Sequence, residues 1–147
     1  LILALICKQS CADPVIGVSD GDTLTVLSGG QPVKVRLANI DAPEKKQPYG
    51  ARSKQSLSDM CFGRDATLAS TNKDRYGRTV AVVHCGAVNV NVAQVRKGMA
   101  WVYPQYNHDA SLPAVEAEAR GAHVGLWAER NPLEPWVYRK ERKAKTP

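Results

Sequence analysis

The sequence predicts a small α+β protein with a mainly β core, a five-stranded Greek-key barrel carrying three helices. Three observations predict it. Short runs of β-branched and alternating residues crowd the first part of the chain. One helical stretch interrupts them after the third run, and two more follow once the strands are finished. At 147 residues, with no repeat and no low-complexity linker, the chain is long enough for one domain with a real core.

The elements follow in order. Val15-Ile16-Gly17-Val18 and Thr23-Leu24-Thr25-Val26-Leu27 read as strands on either side of an Asp-Gly-Asp turn. Ser28-Gly29-Gly30-Gln31 is a second turn. Val33-Lys34-Val35-Arg36-Leu37 alternates strictly, so Lys34 and Arg36 share one face, and Asp41-Ala42-Pro43 ends that strand. A first helix is expected over residues 50–62, with Gly63 as its stop. Residues 66–69 and 79–83 are two more strands, joined by a turn at Asp74-Arg75-Tyr76-Gly77-Arg78. The second helix is expected over 90–99 and the third over 114–123, continuing towards Leu126 and Trp127. Among architectures of this size and order, the oligonucleotide-binding (OB) barrel matches best.

The net charge is +6 and the pI near 9.3. That balance favours a polyanionic partner, although solubility alone also makes many domains basic. No apolar run reaches the roughly 20 residues that span a bilayer. Leu1-Ile2-Leu3-Ala4-Leu5-Ile6-Cys7 reads as the end of a signal-peptide apolar region, with Ser10 and Ala12 as the small residues before cleavage. The alternative is a short buried strand or a disordered leader. The expected organisation is therefore a truncated leader over 1–12, a domain over 13–138 and a charged tail over 139–147. The tail is expected to be a solvated, frayed end, with a nucleic-acid-binding arm as the alternative. The four cysteines include no Cys-x-x-Cys pair, and His84 and Cys85 would point to opposite faces of a strand, which argues against zinc.

Three segments carry chemistry: Asp20-Gly21-Asp22-Thr23, then Arg36-Leu37-Ala38-Asn39-Ile40-Asp41-Ala42-Pro43-Glu44, then Asp74-Arg75-Tyr76-Gly77-Arg78. Taken singly, each residue has a plainer explanation. Asp22 and Asp41 are the kind of residue that caps turns. Arg36 is a strand arginine, Glu44 a loop glutamate and Arg78 a turn residue. An EF-hand calcium loop is excluded, since strands flank the Asp-Gly-Asp turn and no acid stands at the twelfth loop position. Taken together, carboxylates able to hold a hard cation and activate a water stand beside arginines able to clamp a phosphate. That is the equipment for hydrolysing a phosphodiester.

The order and spacing of these motifs resemble the staphylococcal nuclease (thermonuclease) family, in the form of an exported, single-domain bacterial member. The resemblance spans roughly residues 15–127 and extends to Val90-Asn91, Gly98, Glu116-Ala117 and Gly125-Leu126-Trp127. It implies that Asp22 and Asp41 are calcium carboxylates, with the backbone carbonyl of Ala42 completing the protein ligands. It implies that Arg36 and Arg78 bind phosphate and that Glu44 deprotonates or orients the attacking water. Arg75 and Tyr76 are implied to contact a terminal phosphate or sugar. Tyr103 and Tyr106 could offer stacking surfaces for bases, or pack at the barrel mouth. Two departures stand out: the best-known members carry Thr where this chain has Ala42, and the loop after Glu44 is shorter here.

Cleavage after Ala12 would leave Cys61 and Cys85 as the remaining cysteines. The family fold brings their segments together, so a disulfide is expected, against two free buried thiols. The implied activity is a monomeric, Ca2+-dependent nuclease acting on DNA and RNA, preferentially single-stranded or frayed, in the periplasm or outside the cell. Two other readings share the barrel. One is a catalytically silent module that binds nucleic acid or protein and would lack Arg36, Glu44 or Arg78. The other is a plasmid or chromosome maintenance protein with incidental nuclease activity.

Overall fold

The turn at Gly21 and Asp22 joins two antiparallel strands, β1 (Asp13–Asp20) and β2 (Thr23–Ser28), and Gly29-Gly30 leads into β3 (Gln31–Leu37). The computed structural model describes residues 12–145. The leader, with Cys7 and Cys11, therefore lies outside the described residues but for Ala12. After β3 come β4 (Ile40–Asp41), α1 (Gly50–Cys61), β5 (Asp65–Lys73), β6 (Thr79–Cys85), β7 (Val88–Asn89), α2 (Val90–Arg96) and β8 (Trp101–Val102). The chain continues through α3 (Leu112–Gly121), a 3-10 turn (Gly125–Ala128) and α4 (Pro135–Ala144).

Antiparallel pairing runs β3-β2-β1-β5-β6. A parallel seam then joins β3 back to β6, pairing Val35 with Thr79, Arg36 with Val80 and Leu37 with Ala81. These five strands form a closed barrel, the OB-type architecture expected from the sequence. Closure removes free edges from the wall. Alternation decides what faces inward: along β6, Thr79, Ala81, Val83 and Cys85 are buried and the residues between them are not. On β3 the same rule sends Val35 and Leu37 into the core and turns Arg36 outward. The core is filled by Val15, Leu24, Val26, Val35, Leu37, Val83 and their neighbours. A second apolar cluster of Trp101, Ala119, Leu126 and Trp127 packs against Tyr49 and Trp136.

The helices cover the barrel with faces set by spacing. On α1, Ser53, Leu57, Met60 and Cys61 are buried, an i, i+4, i+7, i+8 stripe. The Asn89 side chain caps α2 by accepting from the Val92 N–H. Asn91 ties α2 to the seam: its Oδ1 accepts from the Val83 N–H at 2.9 Å, and its Nδ2 donates to the Ala38 and Ala81 carbonyls. Gly98 and Gly125 meet backbone to backbone, both at positive φ, and a Cβ on either would lie within 2.3 Å of a carbonyl oxygen across the contact. Among the described residues no helix is long and apolar enough to cross a membrane.

Several expected elements are corrected. There are four α-helices among the described residues, not three. The tail expected to fray forms α4 as far as Ala144, started by Pro135 at its first turn. The second helix stops at Arg96 instead of residue 99, because Gly98 adopts φ 63. The third begins two residues earlier, at Leu112, and ends at Gly121. Asp41 does not end β3. Asn39 turns the chain at φ 69, and Asp41 belongs to β4, paired with Trp101 on β8.

Cys61 and Cys85 form a disulfide that joins the end of α1 to the end of β6, with both residues buried. The residues it links are 24 apart in sequence, so the bridge removes loop entropy worth about 3 kcal/mol from the unfolded chain. The paired change Cys61→Ser with Cys85→Ser should lower the unfolding free energy by about that amount. Denaturant titration of both proteins without reductant checks this, and coincident midpoints would count against a stabilising bridge.

Candidate functional site

One broad groove of about 1260 Å³ crosses the barrel wall. It is lined by Asp22, Arg36, Asp41, Ala42, Glu44, Arg75, Tyr76, Arg78, Tyr103 and Tyr106, so residues singled out from three sequence segments and from the stretch after β8 share one surface. Asp22 sits in the β1–β2 turn and is almost fully buried. Gly21 makes this possible, since a Cβ there would lie 1.7 Å from the Ser53 Oγ. Gln94 on α2 fixes the turn from below, donating to the Gly21 carbonyl at 2.7 Å and the Ser53 carbonyl at 3.0 Å.

From β3, Arg36 reaches across to this turn and to β4. Its Nη1 donates to the Leu37 and Ile40 carbonyls, each at 2.9 Å, and lies 3.4 Å from Asp22 Oδ2. Its Nη2 donates to Asp41 Oδ1 at 3.0 Å. Asp22 Oδ2 in turn accepts from the Ala42 N–H at 2.7 Å, and its Oδ1 from the Thr23 hydroxyl at 2.9 Å. The guanidinium is thus locked in place by two carbonyls and two carboxylates.

Glu44 follows on a short loop held by Gln47. The Glu44 N–H donates to Gln47 Oε1, the Gln47 N–H donates to the Glu44 carbonyl, and Gln47 Nε2 donates to the Leu133 carbonyl. The carboxylate of Glu44 is one-third exposed. Its Oε1 accepts from Arg139, its Oε2 makes no hydrogen bond among the described residues, and the residue lines the groove.

Arg139 is the residue that sequence reasoning missed. It projects from α4 and donates through Nη2 to Asp41 Oδ2 at 2.7 Å, and through Nη1 to Asp41 Oδ1 at 3.2 Å and Glu44 Oε1 at 3.0 Å. Burial works against its charge, but the bonds and charges of Asp41 and Glu44 outweigh that and hold it above its ordinary range. A signal existed in Pro135 followed by Trp136: a proline suited to the first helical turn and an aromatic one turn before the arginine. Asp20 was also passed over. Its Oδ1 accepts from the Asp22 N–H, and burial, then repulsion from Asp22, pushes its carboxyl up to about 6. Asp41 is likewise raised to about 6, by burial first and by Asp22, against the lowering effect of Arg139 and Arg36.

The β5–β6 turn contributes a separate wall. Asp74 Oδ1 accepts from the Tyr76 and Arg78 N–H groups, and its Oδ2 from Arg78 Nε at 2.7 Å. Burial pushes the Asp74 carboxyl up, but the bonds from Arg78 and Tyr76 and the Arg78 charge together outweigh it and hold Asp74 below the usual carboxylate range. The guanidinium groups of Arg75 and Arg78 lie 4.9 and 5.5 Å from the Tyr76 ring centre. Arg78 is thus in the groove but is not bonded to the Asp22–Asp41–Glu44 network. One face of Tyr103 stacks on Trp136 at 5.1 Å, with the rings 3° apart, whereas Tyr106 is exposed.

The donor set suits a hard divalent cation. Asp22, Asp41 and Glu44 pair with two guanidinium groups, Arg36 and Arg139, and Asp20 lies beside Asp22, so four carboxylates stand near two cations, an excess of two negative charges when all are ionised. Burial and mutual repulsion raise the protonation of Asp20 and Asp41, the penalty that a bound cation removes. Among the described residues no group of three or more His, Cys, Asp or Glu side chains is placed so that it could hold a metal ion.

A sequence-family model described as "Staphylococcal nuclease homologue" matches residues 34–129. The chain is similar to an "Uncharacterized endonuclease" of Haemophilus influenzae, 47% identical over 137 residues that cover 92% of this chain and 76% of that protein. It is 44% identical over 133 residues to an "Uncharacterized endonuclease" of Escherichia coli O157:H7, covering 88% and 87% of the two chains. To a "Micrococcal nuclease" of Shigella flexneri it is 40% identical over 143 residues, covering 90% and 82%.

Proposed function

The chain belongs to the staphylococcal nuclease family, and from that premise we propose that it is a Ca2+-dependent endonuclease cutting single-stranded or frayed DNA and RNA. The observation that carries this reading is the single bonded network of Asp22, Arg36, Asp41, Arg139 and Glu44 on the wall of an open groove. Asp22, Asp41 and the Ala42 carbonyl would hold the cation. When bound, Ca2+ supplies charge neutralisation at a phosphoryl oxygen.

The chain's own residues do the rest. Arg36, fixed by four partners, presents its guanidinium without reorganisation to the charge that builds on the phosphoryl oxygens. Arg78 approaches the same phosphate from the β5–β6 turn, exchanging Asp74 for a phosphate oxygen. Glu44 Oε2 takes up the proton of the attacking water, or holds that water in line, while Oε1 is steadied by Arg139. Tyr106 and Tyr76 offer faces for unpaired bases. A silent binding module is disfavoured because Arg36, Glu44 and Arg78 are all present. The buried Cys61–Cys85 bridge supports work in an oxidising compartment, the periplasm or beyond.

The test is digestion of single-stranded DNA and of RNA with Ca2+ present and then with excess chelator. Hydrolysis with Ca2+ that vanishes on chelation is expected. Undiminished hydrolysis in chelator would overturn the metal-assisted mechanism.

A further inference from the structure

We propose that the groove-facing side of α4 is a phosphate-binding wall for single-stranded nucleic acid, in which Lys140 and Lys143 take backbone phosphates next to the one being cut. This rests on the nuclease reading of the site above and extends it to how the rest of the strand is held. Trp136, Arg139, Lys140 and Lys143 all line the groove. Their spacing is i, i+3, i+4 and i+7, a single helix face.

The rotation of that face is fixed at two points. Trp136 stacks on Tyr103 and meets Trp101 edge-on at 5.9 Å, while Arg139 grips Asp41 and Glu44. The two lysines are therefore held in register with the reacting carboxylates. Both are exposed, and neither has a hydrogen-bonding or ion-pair partner among the described residues. A solvated helix face would mix signs. The groove side of α4 carries three cations and no acid, and Glu141 falls outside the groove lining. Exposed aromatic rings along the same groove complete the usual pairing of a cationic track with base-stacking surfaces.

The test is fluorescence anisotropy of a labelled single-stranded DNA about ten nucleotides long, with chelator present so that nothing is cut. The variant carries Lys140→Ala and Lys143→Ala. The comparison protein carries Lys54→Ala and Lys97→Ala, the same loss of charge at exposed positions outside the groove. The groove variant should bind about tenfold more weakly at low salt, and its dependence of log K on log salt should be shallower by about 1.4. Lys140→Arg with Lys143→Arg should restore both. Equal weakening in the comparison protein, or an unchanged salt slope, would overturn the wall. A wild-type protein that binds through these lysines yet cuts nothing with Ca2+ would leave the wall standing and overturn the nuclease reading instead.

Discussion

Arg36→Ala is expected to lower kcat/KM by about a hundredfold or more, a loss of roughly 3 kcal/mol of transition-state stabilisation. The same change should also destabilise the fold, and Arg78→Ala should not. Arg36 is mostly buried, and it pairs with the buried Asp41 while satisfying the Leu37 and Ile40 carbonyls. Removing it leaves the two carbonyls without that donor, while Asp41 keeps Arg139, a loss of about 1–3 kcal/mol for buried acceptors left unsatisfied. Arg78 is one-third exposed and pairs with Asp74 at a turn, where an ion pair is worth about 0–1 kcal/mol. Its truncation should cost activity on the same scale as Arg36 with little change in the denaturation midpoint. Arg36→Lys separates charge from geometry: it keeps the positive charge but loses the planar fork that reaches carbonyls and carboxylates together. Rates measured below the melting temperature, beside denaturant curves for all three variants, check the contrast. Near wild-type cutting by folded Arg36→Ala would remove the arginine from the mechanism.

The barrel was legible because its signals are local. Strict alternation along residues 33–37, a β-branched run at 79–83, and glycine and aspartate turns between runs are signals that favour strands over helices. The strands β4, β7 and β8 were not legible, since each is two residues long and pairing between Ile40 and Val102 leaves no periodic trace. Asp22, Arg36, Asp41 and Glu44 were nameable because short contiguous motifs carry them and those motifs resemble the staphylococcal nuclease family; taken singly, each residue has a plainer structural reading. Arg139 lies 98 positions from the carboxylate it holds, on a segment whose charge density reads as a solvated tail. What converts that tail into part of the site is tertiary: Trp136 docks on Tyr103 and Trp101, and the helix is held by that contact and not by its own propensity. Asp20 escaped for another reason, because an acid two residues from a better candidate looks like turn chemistry until its burial is known.

Glu44→Gln should lower kcat by about a hundredfold to ten-thousandfold while leaving the fold intact. The substitution keeps the shape and the Oε1 acceptor for Arg139, and removes the capacity to receive a proton at Oε2. Stability should hold because the loop is fixed by other bonds. Gln47 clasps the Glu44 backbone from both sides and ties it to the Leu133 carbonyl. The side chain itself is part-exposed, and its pairing with a part-exposed arginine is worth about 0–1 kcal/mol. KM should change little, since an amide removes negative charge from the groove and does not obstruct a phosphate. Glu44→Asp retains a carboxylate but withdraws it by one methylene, so it should fall between the wild type and Glu44→Gln. Single-turnover cleavage of a labelled single-stranded DNA under saturating Ca2+, with circular dichroism of each protein, measures this. Turnover by Glu44→Gln within a few-fold of wild type would mean that another group, or bulk solvent, receives the proton, and that Glu44 serves to hold Arg139 against the groove wall.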